Sequence, residues 1–228
     1  MSMTSDLKST TTALLTVSLL LMGCNLSKLR PGGSPSSGND NSSRSTTAFK
    51  PSGDARQDVR DAYKKLSSAY PYRLTETTSI TGGQPSMPPG TRVSEFAAAD
   101  RVHSKMGDFE YIQIGDKSYT NYGGKWVESG KPPKASESAM AKLIDAGLKD
   151  VQSAGTETVN GIRCAVYTSR FEYNFGDEPA TGTSRIWIGL SDGLLHQVDS
   201  EGKVSSYSSK SHLVYEYNVD IKIEKPVP

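Results

Sequence analysis

Few side chains of this 228-residue chain could do chemistry: three histidines, two cysteines and a handful of Ser-Lys and acidic pairings. A zinc centre needs His and Cys gathered at tetrahedral-ligand spacing. His103, His196 and His212 stand singly, with no H-x-H pair and no H-E-x-x-H, so neither a metal nor another cofactor is implied. The spacing S-x-x-K occurs at Ser5 to Lys8 and at Ser200 to Lys203. That chemistry needs a helical turn to bring hydroxyl and amine together, whereas Ser200-Glu201-Gly202-Lys203 reads as a hairpin turn. Asp177 and Glu178 fall in the polar stretch Asn174 to Thr183, which lacks the ligand count of a calcium site and reads as a solvated loop. No catalytic residue emerges, and the chain is not read as an enzyme. Cys24 differs because of what precedes it. The apolar run Ala13 to Met22 follows a polar segment carrying Lys8 and ends in Leu21-Met22-Gly23-Cys24. It is short for a membrane span and stops at a small residue, as an export signal does.

Leu21, Gly23 and Cys24 resemble the bacterial lipobox. Residues 1–23 are then a signal peptide and Cys24 the first mature residue, acylated and serving as the lipid anchor, so the first partner is a membrane. Residues 24–53 carry this anchor and a tether. From Asn25 to Gly53 the chain is rich in Ser, Asn, Gly, Pro and Thr and holds too little apolar surface to fold. About thirty residues of flexible coil span on the order of 30 Å, enough to lift a domain clear of lipid headgroups. The location expected is the cell envelope, on the extracytoplasmic or periplasmic side. Asn25, rather than Asp, follows the cysteine, which favours the outer membrane if the organism is diderm.

The remaining chain, 54–228, has room for one medium domain with a real core. A net charge of +1 suggests no nucleic-acid partner. With Cys24 acylated, Cys164 has no intrachain partner in an oxidising compartment. Ile162, Cys164 and Val166 share one face at strand period, which reads as core packing.

The elements follow from periodicity. Val59, Ala62, Tyr63, Leu66, Ala69 and Tyr70 recur at helical spacing after the capping oxygens of Ser52 and Asp54, and Pro71 ends that helix. Strands are predicted over Tyr72–Ile80, Val93–Ala97, Arg101–Lys105, Phe109–Ile114, Lys117–Tyr122 and Lys125–Glu128. Gly107-Asp108, Gly115-Asp116 and Gly123-Gly124 join the later ones as tight hairpins. Thr81 to Gly90 reads as a loop. Met140, Leu143, Ile144, Leu148 and Val151 mark a second amphipathic helix from about Ser136 to Val151. Strands return at Glu157–Val159, Ile162–Tyr173, Ser184–Leu190, Leu194–Ser200, Lys203–Ser208 and His212–Ile223, with turns at Asn160-Gly161, Asp192-Gly193 and Glu201-Gly202. The class is α+β, a large antiparallel sheet covered on one face by two helices.

Three stretches carry a family likeness. They are Ile114-Gly115-Asp116-Lys117-Ser118-Tyr119 through Lys125-Trp126, Val159-Asn160-Gly161 through Val166-Tyr167, and Trp187-Ile188-Gly189 with Asp192-Gly193-Leu194. With the order helix, meander, helix, meander they resemble the LolA/LolB and LppX/LprG superfamily of bacterial lipid-carrying proteins. Gly189 stands where an acidic residue is common in that group. The resemblance implies a curved half-barrel sheet with the two helices on its concave face. It also implies a membrane-anchored envelope lipoprotein that binds or carries a lipid or other apolar ligand between sheet and helices. Candidate cavity residues are Tyr63, Leu66, Ile112, Ile114, Met140, Leu143, Ile144, Leu148, Val166, Trp187 and Ile188. The same side chains would serve a filled core in a structural lipoprotein. Such a protein would contact an envelope protein partner through tyrosines such as Tyr119, Tyr122, Tyr207, Tyr215 and Tyr217.

Overall fold

The computed structural model describes residues 48–82, 89–131, 147–175, 178–204 and 207–226. Among them lies one helix, α1 (Ala55–Leu66), begun by Asp54, whose carboxylate accepts from Gln57 N at 3.0 Å. A cap of this kind stabilises a helix by about 1 kcal/mol. Val59, Ala62 and Leu66 make one buried stripe, and the hydroxyls of Ser67 and Ser68 close the last turn on the carbonyls of Lys64 and Lys65.

Eleven strands follow: β1 (Tyr72–Thr81), β2 (Gly90–Ala98), β3 (Arg101–Met106), β4 (Phe109–Ile114), β5 (Lys117–Tyr122), β6 (Lys125–Gly130), β7 (Leu148–Val159), β8 (Ile162–Phe175), β9 (Glu178–Gly189), β10 (Leu195–Val204) and β11 (Tyr207–Tyr217). They form one antiparallel, curved and unclosed sheet in the order β6-β5-β4-β3-β2-β1-β11-β10-β9-β8-β7. Two meanders, β1–β6 and β7–β11, are therefore joined through the β1–β11 pair, in which Tyr72 opposes Tyr217 and Leu74 opposes Tyr215.

Three expectations need correction. The second helix, Ser136 to Val151, falls mostly outside the described residues, Met140, Leu143 and Ile144 included, but from Leu148 onward the chain is β7. The register of β7 against β8 shifts between Lys149 and Gln152 and again between Ser153 and Thr156, with Asp150 and Gly155 at φ 50° and 89°. Each shift adds a residue to β7, as a bulge does. The first places Leu148 and Val151, three apart, on the same face against the core, so a bulge reproduces the spacing of a helix.

The second correction concerns Glu201-Gly202, which is no turn: β10 runs straight through it, with Gly202 opposite Gly182 and Ser209. Phe171 is the reason. A β-carbon on Gly182 or Gly202 would lie 2.3 or 2.7 Å from its ring, so both glycines make room for an aromatic laid across two neighbouring strands. Likewise β8 reaches Phe175 and β9 starts at Glu178, within the stretch expected to be a loop.

The third correction is at the C-terminus. β11 ends at Tyr217, Asn218 turns at φ 59°, and the tail crosses the face of the sheet opposite α1. There Ile221 and Ile223 pack on Ile112, Ile114, Tyr119 and Trp126, and Arg101 Nη1 donates to the Ile223 carbonyl at 3.3 Å.

Candidate functional site

Residues paired directly across strands point to the same face of a sheet, so the register divides the side chains into two sets. On the helix side, Val59, Ala62 and Leu66 meet Tyr72, Leu74, Phe96, Val102, Ala165, Tyr167, Ile186, Ile188, Leu195, Val198 and Tyr215 in one buried cluster. α1 sits over β7, β9 and β10. Its Asp58, 4% exposed, is held from both sides: Tyr167 Oη donates to Oδ2 at 2.8 Å and Ser52 N to Oδ1 at 3.0 Å. Beside it an aromatic group centres on Tyr72, stacked on Phe96 at 4.5 Å between centroids and tilted against Tyr215 and Tyr217. Burial raises the Tyr63 hydroxyl to about 12.

The helix-side face changes character away from this cluster. Ile80, Met106, Phe109 and Phe171 are only half-buried, as is Leu213 at the edge of the cluster. Toward β5 the face becomes buried but polar, with Ser94 and Ser104 hydroxyls 2.9 Å apart, Gln113, Ser118 and Thr120. Glu76 and Arg92 face each other at 3.9 Å between these regions. The face thus sets half-buried apolar side chains beside neutral hydrogen-bonding groups.

The sequence candidates divide between the faces. Tyr63, Leu66, Leu148 and Ile188 belong to the helix-side cluster. Ile112 and Ile114 lie on the opposite face beneath the C-terminal tail, and Val166 and Trp187 lie there with Cys164, so none of these four faces α1. Met140, Leu143, Ile144 and Cys24 are outside the described residues. The half-buried residues Ile80, Met106, Phe109, Phe171 and Leu213 are absent from the sequence candidates, because only cross-strand register shows that they share a face.

The tyrosines do not form one surface either. Tyr215 is buried on the helix side and Tyr119 on the other, while Tyr217 is half-buried with its hydroxyl on the Leu195 carbonyl at 2.6 Å. Each strand places its tyrosine by pairing parity, and Tyr122 has no described side chain.

The histidines remain apart, each against acids of its own: His103 between Glu110 at 2.7 Å and Glu95 at 3.4 Å, His196 with Asp192 at 3.1 Å, and His212 with Asp199 at 2.5 Å. Among the described residues no three His, Cys, Asp or Glu gather to hold a metal. Gly189-Leu190-Ser191-Asp192-Gly193 has the G-x-S-x-G spacing of a nucleophile elbow, yet it forms the β9–β10 turn rather than a strand-to-helix turn. Gly193 N donates to the Gly189 carbonyl at 2.8 Å, and Asp192, not a hydroxyl, faces His196 Nε2. The glycine at 189 also has a physical reason, since a β-carbon there would fall 2.4 Å from Asp192 Oδ1 and 2.7 Å from His196 Nε2. Burial works against ionisation of Asp192, but His196, the Leu194 N–H and Lys65 outweigh it and hold the carboxyl below its usual range. Cys164 is fully buried, and burial raises its thiol to about 11, which removes the thiolate that reactivity needs.

The outer face is open and polar where it is not capped. Its cleft of about 610 Å³ is lined by Gln152, Thr168, Arg170, Arg185, Asp199 and Glu201, among others.

No protein-family profile matches this chain, and no curated protein matches it by sequence. Among solved structures it is similar to LprF from Mycobacterium bovis, with a TM-score of 0.51 and 11% identity over 79% of this chain and 100% of that one. It is also similar to the lipoprotein LppX of Mycobacterium tuberculosis, with a TM-score of 0.47 and 13% identity over 76% of this chain and 100% of that one. A LolA superfamily protein from Nitrosomonas europaea follows at 0.32 and 7%, over 74% and 94%. The fold is similar to that of LprF.

Proposed function

We propose that this chain is an envelope lipoprotein, tethered through acylated Cys24, that holds a lipid or other apolar ligand on the helix-side face of its sheet. The observation that carries the reading is the half-buried apolar set Ile80, Met106, Phe109, Phe171 and Leu213, on the same face as a core that α1 already fills. Water-accessible apolar surface beside a packed core is where an acyl chain gains most. Burial returns about 25 cal/mol per Å², so a long chain gains on the order of 10 kcal/mol before the costs of association. The likeness of the fold to the LprF fold supports the reading, together with the resemblance of the sequence to a group that carries lipids. Under it, Tyr63, Leu66, Leu148 and Ile188 form the packed wall, and the half-buried set touches the ligand. The action is solvation of an apolar molecule, with no covalent step.

Native mass spectrometry of the full chain carrying Cys24→Ala, followed by extraction, tests the proposal. A co-purifying mass released on denaturation is the expected result. A clean apo mass that does not shift when lipids are added would overturn it in favour of a filled core.

A further inference from the structure

Five neighbouring strands place a hydroxyl at the same level of the helix-side face. Ser169 of β8 pairs with Ser184 of β9, Ser184 with Ser200 of β10, Ser200 with Ser211 of β11, and Ser211 with Thr78 of β1. At the usual spacing of about 4.8 Å between strands, the row runs roughly 20 Å across the sheet. One step toward α1 the same strands carry Tyr167, Ile186, Val198, Leu213 and Glu76, and one step away they carry Phe171, Gly182, Gly202, Ser209 and Ile80. The row is thus flanked by a mostly apolar line on one side and by Phe171 and Ile80 at the two ends of the other.

Cross-strand hydrogen bonds account for part of the row. Ser184 Oγ and Ser200 Oγ are 2.9 Å apart, and Thr78 Oγ1 and Ser211 Oγ are 3.5 Å apart. Ser169 is different: it is 4% exposed, and its Oγ is buried with no hydrogen-bond partner among the described residues. A buried hydroxyl without a partner costs about 1–3 kcal/mol, so alanine would suit the fold better at this position. Such a group points to a partner supplied from outside the fold.

The charge around the row narrows that partner. Among the described residues the charged side chains on this face beside the row are Glu76 and Arg92, which oppose each other at 3.9 Å and balance one another, so they do not select a phosphate or carboxylate. Hydroxyls both donate and accept, which suits ester carbonyls and alcohol groups. We propose that Ser169, Ser184, Ser200, Ser211 and Thr78 form the recognition strip for the uncharged ester and hydroxyl region of an acylated ligand. The inference rests on the apolar-ligand reading above and adds which polar chemistry that ligand carries and where it lies.

The test uses the full chain with Cys24→Ala and three pyrene-labelled probes of equal chain length: an alkylpyrene, a pyrene-acyl monoglyceride and a pyrene fatty acid. The monoglyceride binds most tightly of the three. Ser169→Ala weakens the monoglyceride about fivefold, the loss expected for one hydrogen bond, leaves the alkylpyrene unchanged, and leaves Tm equal or higher. Ser184→Ala behaves the same way toward the probes and gives an independent reading. Equal monoglyceride affinity in both variants, or a preference for the carboxylate, overturns the strip while leaving the apolar site standing. Binding of no probe by the unaltered chain removes both.

Discussion

The two faces of the sheet are made by the same strands yet are stabilised in different ways. The helix-side face is covered by a helix and builds a contiguous core around Tyr72, Phe96, Tyr167 and Ile186. The outer face has two small apolar clusters, one under the C-terminal tail and one around Cys164, Val166 and Trp187, separated by ion pairs such as Arg73–Glu95 and Lys210–Glu201. Surface pairs of that kind contribute little, because water screens them and their side chains lose freedom. The difference teaches that a wide sheet needs a packed layer on only one side. The other side needs small apolar caps and charges that keep it in solution.

The sharpest way to break this comparison is to remove a large ring from the helix side. Phe96→Ala, at a position 2% exposed and stacked on Tyr72, should cost about 3–5 kcal/mol in urea unfolding. Retained stability would mean that the outer face carries more than its contacts suggest. A medium effect is expected at the rim shared by both regions. Asp192 binds protons at higher pH in the unfolded chain than in the fold, so the stability it contributes is complete above its unfolded pKa. That contribution is lost as pH falls through the lower folded value, and urea midpoints followed from neutral to acid should fall less steeply in Asp192→Asn than in the unaltered chain. The smallest effect belongs to the outer face: Lys210→Ala, breaking an exposed pair with Glu201, should leave the urea midpoint where it was. A clear drop there would show that the charges act as a network.

Much of the strand pattern was legible because hairpin turns announce themselves locally. Gly107-Asp108 and Gly115-Asp116 separate β3, β4 and β5 where the glycines predict. What escaped depends on partners distant in the chain. The i, i+3 spacing of Leu148 and Val151 is helical on paper, and only the β8 register turns it into a bulge. Gly202 resembles a turn residue until Phe171 is seen to need the space. Period-two alternation groups Ile112 with Ile114 and Val166 with Cys164, but cannot say which group meets the helix, so the candidate lining mixed the two faces. The hydroxyl row was invisible for the same reason: its members lie on five strands and share no local motif.

The β1–β11 seam also sets an order of events. β2 to β6 pair only with their chain neighbours and can zip as they emerge, whereas β1 must wait for β11 on its other edge. α1 waits as well, since Tyr167, which holds Asp58, comes 109 residues later, and the Asp192 carbonyl reached by Lys65 comes 127 residues later. A chain that emerges amino end first therefore keeps its helix without a docking surface until nearly all of it has arrived. During that interval the apolar stripe of α1 and the inner faces of Tyr72 and Phe96 are exposed together, which makes this the stage at which a chaperone would have something to hold.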